Sequence, residues 1–302
     1  MSETTLSLVD RSPRLDGATI VTSLVPPPQF ETASFASYVP NEDYPSQAQA
    51  RDTLENFASS ISSVIKPSKL FGRAKKTEDT PPGVYLDGGF GVGKTHLLAA
   101  AWHTADGRQK YFGTFLQYTS LVGALGYANA VTALRGASLI CIDEFELDDP
   151  GDTMMMSRLL NELAPKGVKF AATSNTPPNA LGEGRFAAAD FQREIHGIAD
   201  RFEMLRIDGE DHRHRPVNVV AVETTQQEFD SWLSGLDTNH TAVDSFDALL
   251  KHLSTIHPSR YGRLLESINN LGLKDCHVLE NQVDALRFVA FVDRAYEAQL
   301  HI

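Results

Sequence analysis

The stretch Gly88-Gly89-Phe90-Gly91-Val92-Gly93-Lys94-Thr95 constrains this chain more than any other feature. It fits GxxxxGK[ST] and stands between an apolar run, Val84 to Leu86, and a helix-forming run containing Leu97, Leu98 and Ala99 to Ala101. Strand, glycine-rich turn and helix in that order place successive backbone N–H groups, and the positive end of a helix, around one anion. The pattern predicts that all eight residues, Gly88 to Thr95, hold ATP. Lys94 would bridge the β- and γ-phosphate oxygens, and Thr95 would ligate Mg²⁺.

A second apolar run, Leu139-Ile140-Cys141-Ile142, ends in Asp143-Glu144. Two acids at a strand end are usually a solvated turn. Downstream of a phosphate-binding loop they match its needs: Asp143 for the metal side, and Glu144 to orient or deprotonate the attacking water. A third run, Val168 to Ala172, leads into Thr173-Ser174-Asn175, which would emerge beside the phosphates. Asn175 could hold the water there or merely cap the strand before Pro177-Pro178. Arg185, Arg193 and Arg201 follow, where an ATPase working as a ring would present an arginine to its neighbour's nucleotide. Phe191 and Ile195 at i and i+4 turn Arg193 outward on a helix, which makes it the first choice and Arg185 the second. Arg287, on the last helical stretch, could reach the nucleotide from a second domain.

Short apolar runs alternating with helical stretches (95–103, part of 121–134, and 152–163) predict an α/β fold, a parallel sheet flanked by helices. Phe202 to Ile207 and Val217 to Val222 are further candidate strands. A helix is expected from Ser46, as its cap, to Ile61. Residues 1–40, with Pro26-Pro27-Pro28, read as an extended tail, and 41–225 as the P-loop domain. After about Gln226 the pattern turns helical, with Phe246, Leu249, Leu250 and Leu253 and then Phe288, Phe291, Val292 and Ala295 at helical spacing. Residues 226–302 therefore read as a small helical lid domain.

Composition narrows the partners. Twenty-seven Lys and Arg against 39 Asp and Glu give a net charge of −12, which repels nucleic acid unless basic residues cluster. The one such cluster, Lys66 to Lys76, reads as a solvated loop. The same holds for His212-Arg213-His214-Arg215, which lacks paired ligands at metal spacing. Met154-Met155-Met156 reads as helix packing. No apolar run approaches the roughly 20 residues of a membrane span, no secretion signal opens the chain, and Cys141 and Cys276 form no CxxC pair. A cytoplasmic protein is expected.

Taken together, GGFGVGKT, CIDEFELDDPGDTMMMSRLLNEL and AATSNTPPNAL resemble the AAA+ ATPase family of the bacterial cell-division protein ZapE and its mitochondrial relatives, from about Asn41 onward. The resemblance implies a P-loop AAA+ core with a helical lid, and ATP hydrolysis with Lys94, Thr95, Asp143, Glu144 and Asn175 at the matching positions. It also implies a homo-oligomeric ring, a mechanochemical or chaperone-like role in cell division with a division-machinery partner, and relatives that continue beyond Leu300-His301-Ile302. The phrases GVGKTHLL and TSN also resemble helicase- or initiator-loading AAA+ proteins of DNA replication.

Overall fold

The computed structural model describes residues 5–13, 17–61, 83–107, 109–145, 150–176, 197, 199–211, 224–256 and 258–302. They fall into two compact units. One comprises 16–26 and 30–216; the other comprises 1–15, 27–29 and 217–302.

The larger unit is built on a five-stranded parallel sheet. Its strands are β1 (Gly83–Gly88), β2 (Lys110–Thr114), β3 (Leu139–Asp143), β4 (Lys169–Ser174) and β5 (Phe202–Ile207), in the order β2-β3-β4-β1-β5. The three inner strands are buried along nearly their whole length, as their uninterrupted apolar text requires. The edge strands β2 and β5 carry exposed or half-buried positions. Helix α3 (Lys94–Thr104) lies on one face. Its Leu97 and Leu98 pack beside Ala99, Ala100 and Ala101, small enough to let the helix axis approach Val84 and Leu86 of β1. Helix α2 (Pro45–Ser60) adds Ala50, Leu54 and Ala58 to the same core. The helical stretch expected across 121–134 is two helices, α4 (Phe115–Leu125) and α5 (Tyr127–Leu134), broken at Gly126, whose φ is +75°. Helix α6 spans Pro150–Leu163, with Met156 buried and Met154 exposed.

The expected cap of α2 is not Ser46. The helix starts one residue earlier, with Pro45 in its first turn, a position where a missing N–H costs nothing. Ser46 Oγ instead accepts from the Asp208 backbone N–H at 3.0 Å.

Two broader expectations are also corrected. The described residues of 1–40 are not an extended tail. Helix α1 (Gly17–Ser23) precedes Leu24, whose carbonyl accepts from the Phe112 N–H on β2 at 2.9 Å. Further along, Ala33, Phe35 and Tyr38 lie in the larger core. Enough apolar side chains punctuate the polar text to anchor it. Residues 226–302 are not wholly helical either. Helices α7 (Gln226–Ser234), α8 (Phe246–Leu253), α9 (Tyr261–Leu264) and α10 (Gln282–Glu297) accompany a parallel pair, β6 (Thr241–Ser245) with β7 (Asn270–Lys274). Leu6 bridges to Ala242 and His301 to Asn270 at its two edges. The core of this unit joins Leu8 to Leu249, Leu253, Tyr261, Leu271 and Phe291. The predicted strand at Val217 to Val222 lies outside the described residues, as do Lys66 to Lys76 and His212 to Arg215. No helix among the described residues is long and apolar enough to cross a membrane.

Candidate functional site

The sheet order sends the chain from β1 out to the β2 edge and brings it back through β3 and β4. The C-terminal ends of β1, β3 and β4 therefore converge at the point where direction reverses, where open α/β sheets bind ligands. Gly88, Asp143 and Ser174 are the last residues of these three strands.

At the first end, Gly91 takes φ +70° and Gly93 φ +86°, left-handed values that let the loop double back into α3. Lys94, nearly buried, folds its ammonium over this loop. Nζ donates to the Gly88 carbonyl at 2.8 Å, to the Gly89 carbonyl, and to Asn175 Oδ1 at 2.9 Å. These carbonyl and carboxamide acceptors are neutral, and an ammonium can exchange such bonds for stronger, charge-assisted ones to an anion.

At the second end, Asp143 Oδ1 accepts from Thr95 Oγ1 at 3.2 Å and, at short range, from Thr173 Oγ1. Burial pushes its carboxyl up from the usual range. The Thr173 and Thr95 hydroxyls, the Glu144 backbone N–H and the Lys94 charge oppose that push. Hydroxyl and carboxylate oxygens side by side form a donor set suited to a hard divalent cation such as Mg²⁺. Glu144 follows in the left-handed region at φ +52° with its side chain exposed. Two bonds hold it there: Thr173 Oγ1 accepts from Glu144 N–H at 3.2 Å, and the Thr173 carbonyl accepts from Phe145 N–H at 2.7 Å.

Thr173 thus governs both acids at once, a role that sequence reading did not reveal. Its hydroxyl donates to one acid and accepts from the backbone of the next. Replacing Thr173 with Val, which keeps the shape and loses the hydroxyl, is expected to lower steady-state ATP turnover by roughly 10- to 100-fold, the cost typical of removing such a supporting bond. Thr173→Ser should restore most of it. Equal turnover in the Val protein would show that Asp143 and Glu144 hold themselves.

The sequence also gave no sign of the ion pair joining Arg206 Nη1 of β5 to Asp87 Oδ2 at 2.8 Å. Asp87 is buried and immediately precedes Gly88, so the pair ties the edge strand to the start of the loop. Tyr85 Oη donates to the Thr176 carbonyl at 3.0 Å and steadies the turn after Asn175. Phe90 projects from the loop, exposed.

The arginines fare differently. Arg201 precedes β5 and its carbonyl accepts from Gly83 N–H at the start of β1, the end of the sheet opposite the loop. Its guanidinium bonds Asn161 Oδ1. Arg185 and Arg193 lie outside the described residues. Arg287 sits on α10 in the smaller unit, paired with Asp284 at 3.2 Å. Among the described residues no group of three or more His, Cys, Asp or Glu could hold a metal by itself. Cys141 is buried in β3, which pushes its thiol well up.

Among curated relatives, the cell division protein ZapE of Escherichia coli K12 is 27% identical over 281 residues, covering 79% of this chain and 74% of its own. Lactation elevated protein 1 homolog B of Danio rerio is 28% identical over 157 residues, covering 45% and 31%. Among solved structures, the replication initiator DnaA bound to AMPPCP and single-stranded DNA overlaps 60% of this chain and 51% of its own, at 14% identity and TM-score 0.44. The DnaC helicase loader overlaps 60% and 99%, at 18% identity and TM-score 0.41. These overlaps are partial, and the order of the parallel strands is what carries the fold. The AFG1-like ATPase family matches over residues 18–236, most of the chain and the whole of the strand-end site, so this α/β protein belongs to the AFG1-like ATPases.

Proposed function

We propose that the chain hydrolyses MgATP in the crevice at the ends of β1, β3 and β4 and transmits the cycle to a protein partner as a mechanochemical or chaperone-like factor in cell division. One observation carries the chemical half. Lys94 Nζ bonds Asn175 Oδ1 and Thr95 Oγ1 bonds Asp143 Oδ1 at the same end of the sheet, although the four residues come from three separate stretches of sequence. The cellular half rests on the relative named as a cell division protein, which aligns over 79% of this chain.

In this reading the loop N–H groups and the N-terminus of α3 bind the β-phosphate. Lys94 leaves the Gly88 and Gly89 carbonyls for the β- and γ-phosphate oxygens, which frees the Asn175 carboxamide to hold a water in line with the γ-phosphorus. Glu144 lies one residue beyond Asp143 on a backbone held by Thr173, so its carboxylate can accept the proton of that water. Thr95 with Asp143 would hold Mg²⁺, which would supply neutralisation of charge on the phosphates. Turnover should vanish on chelation and return on adding Mg²⁺. Depleting the protein in its source organism should lengthen cells, with rescue by the wild type and none by Glu144→Gln; unchanged cell length would remove the division role.

In this reading the site is completed in a ring, in the cytoplasm, by a neighbour's arginine, Arg193 first and Arg185 second. Arg193→Ala and Glu144→Gln proteins, each inactive alone, should regain part of the ATPase activity when mixed, because some sites then pair an intact Glu144 with an intact Arg193. No recovery despite co-assembly would move the assignment to Arg185.

A further inference from the structure

The loop that would hold the phosphates has a support outside its own motif. Tyr38, nearly buried, donates its hydroxyl to the Val92 carbonyl at 3.0 Å. Its ring lies against Gly93, so closely that a Cβ at that position would sit 2.6 Å from Tyr38 Cε2. Burial pushes the Tyr38 hydroxyl pKa up, so it stays protonated and remains a donor.

A planar trans peptide points its carbonyl and its N–H in opposite directions. The bond that fixes the Val92 carbonyl therefore fixes the Gly93 N–H on the other side of the same plane. Gly93 is the N-cap of α3, and its N–H belongs to the helix-start donors that have no acceptor within the helix. Left-handed φ at Gly93 would otherwise leave this plane free to rotate, since glycine tolerates many conformations.

The segment that carries Tyr38 is itself anchored. Ser34 and Ser37 close a tight turn, with Ser34 N–H donating to Ser37 Oγ at 3.0 Å and Ser37 N–H to Ser34 Oγ at 3.1 Å. This turn docks on the first turn of α3. His96 Nε2 donates to the Ser34 carbonyl at 3.1 Å and lies 3.0 Å from Ser37 Oγ, while the His96 ring packs against Tyr38 and Phe30.

We infer that Tyr38 is a positioning residue for nucleotide binding: through the Val92 carbonyl it aims the Gly93 N–H into the phosphate cradle. The inference rests on the reading of Gly88 to Thr95 as that cradle. Because the cradle is shared by the diphosphate and the triphosphate, Tyr38 acts on both alike and not on the transition state alone.

The test is Tyr38→Phe, which keeps the ring against Gly93 and removes only the donor. Dissociation constants for ATP and ADP, measured by titration calorimetry, are expected to rise together by roughly three- to tenfold, the loss of one hydrogen bond. The value of kcat at saturating ATP should stay within about twofold, the pattern of lost uniform binding. His96→Ala, which loosens the segment without touching the hydroxyl, should give a smaller shift of the same kind. Unchanged affinities in Tyr38→Phe, or a fall in kcat at unchanged affinity, would overturn the inference. A wild-type protein that fails to bind either nucleotide in the same titration would instead overturn the reading of the cradle.

Discussion

Glu144→Gln protein is expected to bind ATP within about threefold of the wild type while its turnover falls by roughly 10²- to 10⁴-fold, the range lost with a general base. The Glu144 side chain is exposed, and its backbone N–H is held by Thr173. The amide should therefore leave Asp143, the loop and the fold as they are, since surface substitutions away from such supports usually change stability by less than about 0.5 kcal/mol. Single-turnover hydrolysis with calorimetric binding separates the two quantities. Parallel loss of affinity and rate would assign Glu144 to shaping the site instead of to the water.

Lys94→Ala should have the opposite signature. Its ammonium is the one side-chain cation bonded inside the loop among the described residues, and the carbonyl and carboxamide oxygens it bonds there are neutral. Hydrogen bonds to charged groups contribute about 1.5–3 kcal/mol, so ATP affinity should fall by roughly 10- to 150-fold. ADP should suffer less, because it offers Lys94 no γ-phosphate. The substitution also leaves Gly88 and Gly89 carbonyls without their donor near a buried site. A thermal midpoint measured without nucleotide records that separate cost. Unchanged ATP affinity would sink the assignment of this loop to phosphate.

How much of this was legible in the sequence depends on where each contact lies. The inner strands β1, β3 and β4 are buried on both faces, so their text is continuously apolar and easily read. Strand β2 escaped notice because only Phe112 and Gly113 are buried in Lys110-Tyr111-Phe112-Gly113-Thr114, an edge pattern with neither clean alternation nor an apolar run. Strands β6 and β7 were hidden similarly. Thr241-Ala242-Val243-Asp244-Ser245 is short and half polar, and it runs directly into the strongly amphipathic α8. At the site, Lys94, Thr95, Asp143 and Glu144 announce themselves through fixed local spacing. Tyr38 and Thr173 act through bonds spanning 54 and 30 residues to Val92 and Asp143, and no spacing rule covers those. The Ser46 expectation failed through local competition, since a proline at the first helical position moved the cap from Ser46 to Tyr44.

The placement of residues 6–11 bears on how this molecule reaches its native state. Leu6 pairs along β6, Ser7 and Leu8 bond the Asp244 carboxylate, and Arg11 Nη1 donates to the carbonyls of Leu264 and Glu266 at 3.0 and 2.7 Å. These contacts join parts of the chain 236 to 255 residues apart. On a ribosome, residues 6–11 must wait for some 236 further residues before their partner strand exists, so closing the smaller unit is a late, high-contact-order event. Until then β6 keeps an unpaired edge, the kind of surface that recruits other chains. Refolding yield should therefore fall with protein concentration more steeply when residues 1–11 are removed than when they are present.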